Sequence, residues 1–268
     1  YINMSFDTKC VPDELIPYMG LLGSTLSLMD TKNYTYPELT NEININCGGL
    51  ATGTALYSDK VDFSKNTIVY EVKSKALYEK VPFVLGMMEE IMYNTRFDDY
   101  KRLKEIIARI KSRLEASLMG QGHSIAMLEC CAQFSESAYY SDILRGYKYY
   151  EFIKKLDEEF EQNKTQIVDK LNKLVGYIFN KDNAIVSLTA DDEGYDCFVK
   201  ALSAKSCNIK DEHYNTAVRS FIPVNVKTGY TSASQVQYVA RCGNFVKDGY
   251  KYTGALKAVS YTHLRAHE

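Results

Sequence analysis

His263 and His267 stand four residues apart with Glu268 directly after, in the closing stretch KAVSYTHLRAHE. That spacing puts two imidazoles on one helical face, where their ring nitrogens could ligate zinc. A hydrolytic zinc site also needs a third ligand and a general base, and the hydrolase pattern H-E-x-x-H sets that base between the histidines. Here Leu264, Arg265 and Ala266 lie between them, and Arg265 would place a cation beside the metal. The stretch has a second reading at the level of nucleic acid. VSYTHLRAHE can be encoded, codon after codon, by GTC TCT TAT ACA CAT CTC CGA GCC CAC GAG, which resembles a transposase adapter used in making sequencing libraries. Residues 259–268 are therefore read as adapter read-through and set aside from fold reasoning, and the metal pattern goes with them.

Every other candidate group has a plainer alternative. His123 follows MGQG at a predicted helix start, as a cap or surface residue, and His213 is isolated in a polar stretch. Cys130 and Cys131 are neighbours on a predicted helix, pointing about a hundred degrees apart, so they grip one metal poorly and are expected as buried structural thiols. CGGLATGTA lacks the Lys-Ser/Thr of a phosphate loop and leads into strand-like sequence, which favours a β-bulge. Lys101, Arg102, Lys104, Arg109, Lys111 and Arg113 are interleaved with Glu105 and Glu115, the pattern of a solvated helix face and not of an RNA-binding one. No serine, cysteine or carboxylate constellation assembles from spacing. The expected set of catalytic, cofactor-binding and metal-ligating residues in this chain is empty.

Composition narrows the partners. The 32 basic and 34 acidic residues give a net charge of -2, which argues against nucleic acid and anionic membrane as partners. Seven scattered cysteines, odd in number and without a C-x-x-C pair, fit reduced thiols in the cytoplasm. No uncharged apolar run approaches the ~18 residues of a membrane span. The first residue is Tyr and YINMSFDTKC is no targeting segment, so the chain is expected to start inside a longer protein.

The elements that would position any site follow from periodicity. Ile2, Met4 and Phe6 alternate with polar residues, as in a half-buried strand. Residues 11–29 predict a helix with Pro12 near its start, Asp13 and Glu14 in its first turn, and Leu15, Met19, Leu22 and Leu26 on one face. PELTNEI predicts a short helix. NINCGGLATGTALY and NTIVYEVKSKAL predict a strand pair, with Gly48, Gly49 and Gly53 permitting a bulge or close backbone approach. Residues 79–180 predict four or five helices, the clearest at 97–118, where Tyr100, Leu103, Ile107, Ile110 and Leu114 form a stripe. NAIVSLTAD predicts a strand and DDEGYDCFVKALSAK a helix. A polar stretch at about 206–218 predicts a domain boundary, with strands in RSFIPVNVKTGY and SQVQYVARCGNF beyond it and a helix begun at KYTGALKAV. The expected organisation is an α+β two-layer sandwich of mostly antiparallel sheet under a helical layer over residues 1–210, a truncated start of a similar domain at 211–258, and adapter at 259–268.

Taken in order, a strand, D-E-L-x-P-Y at 13–18, a helix, and Y-x-E-L-x-N-E-I at 36–43 leading into a Gly-Gly segment resemble the presequence protease group of insulinase-like metallopeptidases, in the third of four related domains. The resemblance runs over residues 1–258. It implies two halves closing like a clamshell around a chamber for unfolded peptides, with zinc on an H-x-x-E-H helix of the first domain and a downstream glutamate as third ligand. It also implies an Arg and a Tyr in an R-x-K-G-G-A-Y-G motif of the fourth domain. The helix at 13–29, which takes the place of the zinc helix, has no histidine, and the fourth-domain motif would come after YTGALK, where the adapter begins. The resemblance thus implies a non-catalytic piece of a zinc endopeptidase, its partners being unfolded peptides and the N-terminal catalytic half of the same chain. The alternative is a catalytically silent scaffold or binding subunit.

Overall fold

A computed structural model describes residues 1–59, 62, 65–204, 208–231, 236–244 and 249–250. Residues 259–268, with His263, His267 and Glu268, lie outside these, as do the whole of KYTGALKAV and Cys207.

Strand β1 (Ile2–Asp7) buries every second residue, with Ile2, Met4 and Phe6 inward. It sits between β3 (Asn66–Ser74) and β4 (Ala184–Leu188), and β2 (Leu50–Ser58) completes the order β2-β3-β1-β4. All three ladders are antiparallel. The register follows from burial, because a slip of one residue would turn Phe6, Tyr70 and Val72, all 0% exposed, out to water. The expected bulge is absent. The β2–β3 ladder runs unbroken from Leu50↔Ser74 to Ser58↔Asn66, and Gly49 takes its positive φ of 113° just before the first pair.

The predicted helix at 11–29 splits into a 3-10 turn (Asp13–Leu15) and α1 (Ile16–Thr25), because Pro17 has no N–H for the Asp13 carbonyl, which accepts from the Ile16 amide instead, and α1 ends early where the Thr25 hydroxyl bonds the Leu22 carbonyl at 3.0 Å. Leu15, Met19, Leu22 and Leu26 are all buried. Helix α2 (Tyr36–Asn46) is longer than PELTNEI, since Thr35 and Glu38 form a reciprocal capping box at its start. Helix α1 lies close on β2. A Cβ placed on Gly23 would sit 3.2 Å from Gly53 Cα, and the Thr52 hydroxyl donates to the Gly23 carbonyl at 3.0 Å. Gly23→Val should therefore overpack the helix–sheet contact and cost about 2 kcal/mol, read as a drop of roughly 5 °C in Tm by calorimetry.

The helical layer continues through α3 (Val81–Tyr93), α4 (Tyr100–Gly120), α5 (Gly122–Ala132), α6 (Glu136–Arg145), α7 (Tyr147–Glu158) and α8 (Phe160–Ile178). These are more segments than periodicity resolves, because α5 to α8 are divided by breaks of only one to three residues. Asp99 caps α4 through the Arg102 amide at 3.0 Å, and the stripe of α4 buries Leu103, Ile107 and Ile110. Its basic face is paired: Lys104 reaches Glu161 at 2.8 Å, and Lys111 reaches Asp157 at 2.6 Å. Phe179 follows α8 into the core, edge-on to Phe6, Tyr70 and Tyr93 at 5.1, 5.5 and 6.1 Å. Helix α9 (Asp192–Ser203), capped by Asp191, packs on α3.

No strand forms in the described residues beyond α9, where an isolated Asn180↔Lys210 bridge is the only ladder contact. The alternating sequences at 219–230 and 236–244 have no partner strand among the described residues, and alternation without a partner does not make a strand.

Candidate functional site

Three places concentrate polar chemistry, and each is built by the fold just described. The first is the solvent side of the sheet. Alternation turns Asn3 of β1, Tyr57 of β2, and Glu71 and Lys73 of β3 to the same face. Glu71 is 5% exposed there and accepts hydrogen bonds from Asn3 Nδ2 at 3.1 Å and the Tyr57 hydroxyl at 2.9 Å, with Lys73 Nζ at 2.6 Å. Burial alone would raise this carboxyl, but the bonds from Lys73, Asn3 and Tyr57 outweigh it and hold Glu71 below the ordinary glutamate value of 4.5. The same bond pushes the Tyr57 hydroxyl up.

A depressed folded value means that Glu71 contributes stability above its unfolded pKa, and that this stability is lost as pH falls through the lower, folded value. Glu71→Gln should cost about 2 kcal/mol at neutral pH and progressively less in acid below 4.5, as protonation removes the charged acceptor from the unsubstituted chain. Melting temperatures of the two chains against pH should converge at the acid end.

The second place is a cleft of about 1710 Å3 between α4, α5 and α7 on one side and residues of 223–231 and 236–244 on the other. Glu115, Glu129, Tyr147, Tyr150 and Tyr230 line it. The Tyr147 and Tyr230 rings lie 3.9 Å apart, and the Val224 and Val226 amides bond to Gln133 at 2.8 Å each. Glu129 is 8% exposed, and burial together with the neighbouring Asp142 carboxyl raises its pKa. Asp142 is fully buried beneath Lys148 at 3.4 Å. Cys130 and Cys131 lie at this edge. They are half-buried, not buried as expected, at the rim of this open cleft, and Cys242 comes over them, its Sγ 3.2 Å from that of Cys131.

The third is a surface group. His213, isolated in sequence, pairs with Asp182, and Asp211 lies beside them in an ion pair with Lys181 at 3.3 Å. The 208–219 stretch is held against the domain, which brings His213 there. The Asn208 amide bonds Glu89 at 2.8 Å, the Lys181 amide bonds the Lys210 carbonyl at 2.9 Å, the Ala217 amide bonds the Lys9 carbonyl at 2.9 Å, and Arg219 donates to the Thr8 and Val11 carbonyls.

None of these fits a hydrolytic zinc site. Asp182, Asp211 and His213 are the one group of described residues whose ligand atoms cluster within 4.8 Å, and all three are on the surface. They supply one imidazole where such sites use two or three, and their carboxylates are already engaged. No imidazole is hydrogen-bonded to a cysteine or a serine among the described residues, the pairing by which an imidazole activates such a nucleophile. Sequence reasoning missed the Glu71 cluster, the Glu129–Asp142 pair and the meeting of Cys131 with Cys242. The first had a signal in the strand alternation that puts Asn3 and Glu71 outward, and the other two depend on tertiary approach.

Comparison with known proteins agrees with the fold and extends it. The family model for the domain associated with peptidases of the M16 class, subfamily C, matches residues 1–156. Protein HypA of Clostridium perfringens is 35% identical over 261 residues, covering 96% of this chain and 26% of that protein. Presequence protease 1, chloroplastic/mitochondrial, of Arabidopsis thaliana is 24% identical over 264 residues, covering 97% of this chain and 24% of that protein. The mitochondrial presequence protease of Yarrowia lipolytica is 27% identical over 193 residues, covering 72% of this chain and 20% of that protein. The chain thus spans about a quarter of the length of the first two relatives. A crystal structure of a conserved protein from Enterococcus faecalis V583 superposes with a TM-score of 0.52 at 10% identity, covering 80% of this chain and 48% of that one, which speaks for the fold alone. No helix among the described residues is long and apolar enough to cross a membrane.

Proposed function

The chain belongs to the family of domains associated with subfamily C of the M16 peptidases, and from that premise we propose that it is a non-catalytic wall of a zinc metalloendopeptidase that degrades unstructured peptides in a closed chamber. The observation that carries this reading is the sheet. One face is packed under helices, while the other is open, polar and pre-organised around Glu71. Such a face suits the lining of a water-filled chamber better than a nucleic-acid interface, and the net charge of -2 supports the same choice.

In this reading the zinc, its ligands and the general base belong to the N-terminal half of the parent. That assignment rests on the donor set of the described residues, which does not fit zinc, and on relatives roughly four times this chain's length. The chain's own work is to bound the chamber, exclude folded proteins and water, and take part in closure. Its unpaired cysteines suit a reducing compartment such as the cytoplasm. A peptidase assay of the chain and of its intact parent tests the proposal, with turnover expected from the parent only.

A further inference from the structure

We infer that Cys131 and Cys242 are a modification site, a dithiol that oxidises to an intrachain disulfide and ties the extended residues 236–244 to α5. The two Sγ atoms lie 3.2 Å apart across 111 positions of sequence. A disulfide requires about 2.05 Å between sulfurs, so small side-chain rotations suffice to close the gap. Both residues are half-buried, open enough for a small reagent and enclosed enough to stay aligned. The Met127 carbonyl, 3.8 Å from Cys242 Sγ, adds a contact from the same helix.

Cys130 is the competitor. It neighbours Cys131 and its thiol also engages Cys242. Burial raises the Cys130 and Cys242 thiols above the ordinary cysteine value, so at neutral pH both are mainly protonated and exchange is slow. The oxidant is a low-molecular-weight disulfide of the glutathione class. The thiolate of one cysteine attacks a sulfur of that disulfide and expels one thiol. The second cysteine, losing its proton, attacks the mixed disulfide and expels the other thiol. Two electrons and two protons pass to the oxidant, which leaves as two thiols.

The tie matters because residues of 223–231 and 236–244 form one wall of the cleft that holds Glu129 and Tyr230. Reduced, that wall is held by the bonds to Gln133 and by the Tyr230–Tyr147 contact. Oxidised, it is fixed covalently to the cleft floor. The tie concerns two thiols of this chain alone and needs no peptidase activity.

The experiment incubates the 268-residue chain with glutathione disulfide, blocks free thiols, and records intact mass and a non-reducing proteolytic map. We expect a loss of about 2 Da, a cross-linked peptide containing Cys131 and Cys242, and reversal by dithiothreitol. Closing a loop of this length should raise Tm by roughly 10 °C. Cys131→Ser and Cys242→Ser should each abolish the cross-link and Cys130→Ser should keep it, with circular dichroism confirming that each variant folds. Glutathione adducts without a cross-link, a Cys130–Cys242 bridge, or no change in the unsubstituted chain would each overturn the inference, and that chain's map does not depend on any variant folding.

Discussion

Phe179→Ala is expected to remove about 4 kcal/mol of stability, the largest loss from any single truncation we would make in this chain. The side chain is 0% exposed and stands where the helical layer meets the sheet. Phe6 from β1, Tyr70 from β3 and Tyr93 from α3 all meet its ring edge-on, and such pairs add about 0.5–1.5 kcal/mol each beyond area burial. Truncation leaves a cavity that no neighbour can collapse into, because Phe6 and Tyr70 are held by the β1–β3 register and Tyr93 is tied through its hydroxyl to the Phe179 carbonyl at 2.8 Å. Phe179→Leu should cost about half as much, since it refills most of the volume. Chemical denaturation of the two variants checks the ordering. A loss below about 1 kcal/mol for the alanine variant would mean that the layers are not joined at this ring.

The core was legible in the sequence wherever a period was long and uninterrupted. Ile2, Met4 and Phe6 alternate without a break, and Leu103, Ile107 and Ile110 keep helical spacing, so both faces were readable before any coordinates. Boundaries were less so. The break before α1 depends on Pro17 withholding an amide from the Asp13 carbonyl, the early end of α1 on the Thr25 hydroxyl reaching a backbone carbonyl, and the start of α2 on a capping box whose partners lie three residues apart. The Gly-rich stretch showed that backbone freedom was wanted but not how it is used. It serves one positive φ at Gly49 and the close approach of Gly23 to Gly53, in place of a bulge.

Polar chemistry was the least legible. Glu71 alternates outward like any surface strand residue, with Lys73 two positions on, and only the neighbouring strands reveal that Asn3 and Tyr57 close over it. His213 looked isolated because Asp182, 31 positions away, comes to it only when 208–219 is strapped down. Cys131 and Cys242 are further apart still. Groups that meet across the fold carry no local spacing, so a search by motif passes over them. The His263 and His267 pair shows the reverse, a clean local spacing outside the described residues.

The second large expectation is an all-or-none one. A wall without a metal-binding donor set should be inert as a peptidase, however well it folds, because chamber geometry orders and desolvates a peptide but supplies no nucleophile. Among the described residues, zinc added to the isolated chain finds Asp182, Asp211 and His213 on the surface, where one imidazole and two engaged carboxylates enclose no substrate. The intact parent should instead carry H-x-x-E-H with a downstream glutamate in its N-terminal half. Changing the glutamate of that motif to glutamine should abolish turnover while leaving zinc bound.

The most direct measurement of whether this chain is a wall is hydrolysis of a quenched fluorescent peptide by the purified 268-residue chain and by its intact parent, each with zinc and with EDTA. EDTA-sensitive turnover is expected from the parent and none from the chain. EDTA-sensitive turnover by the chain alone would contradict the wall reading, and so would an inert parent, which would instead mark a catalytically silent scaffold.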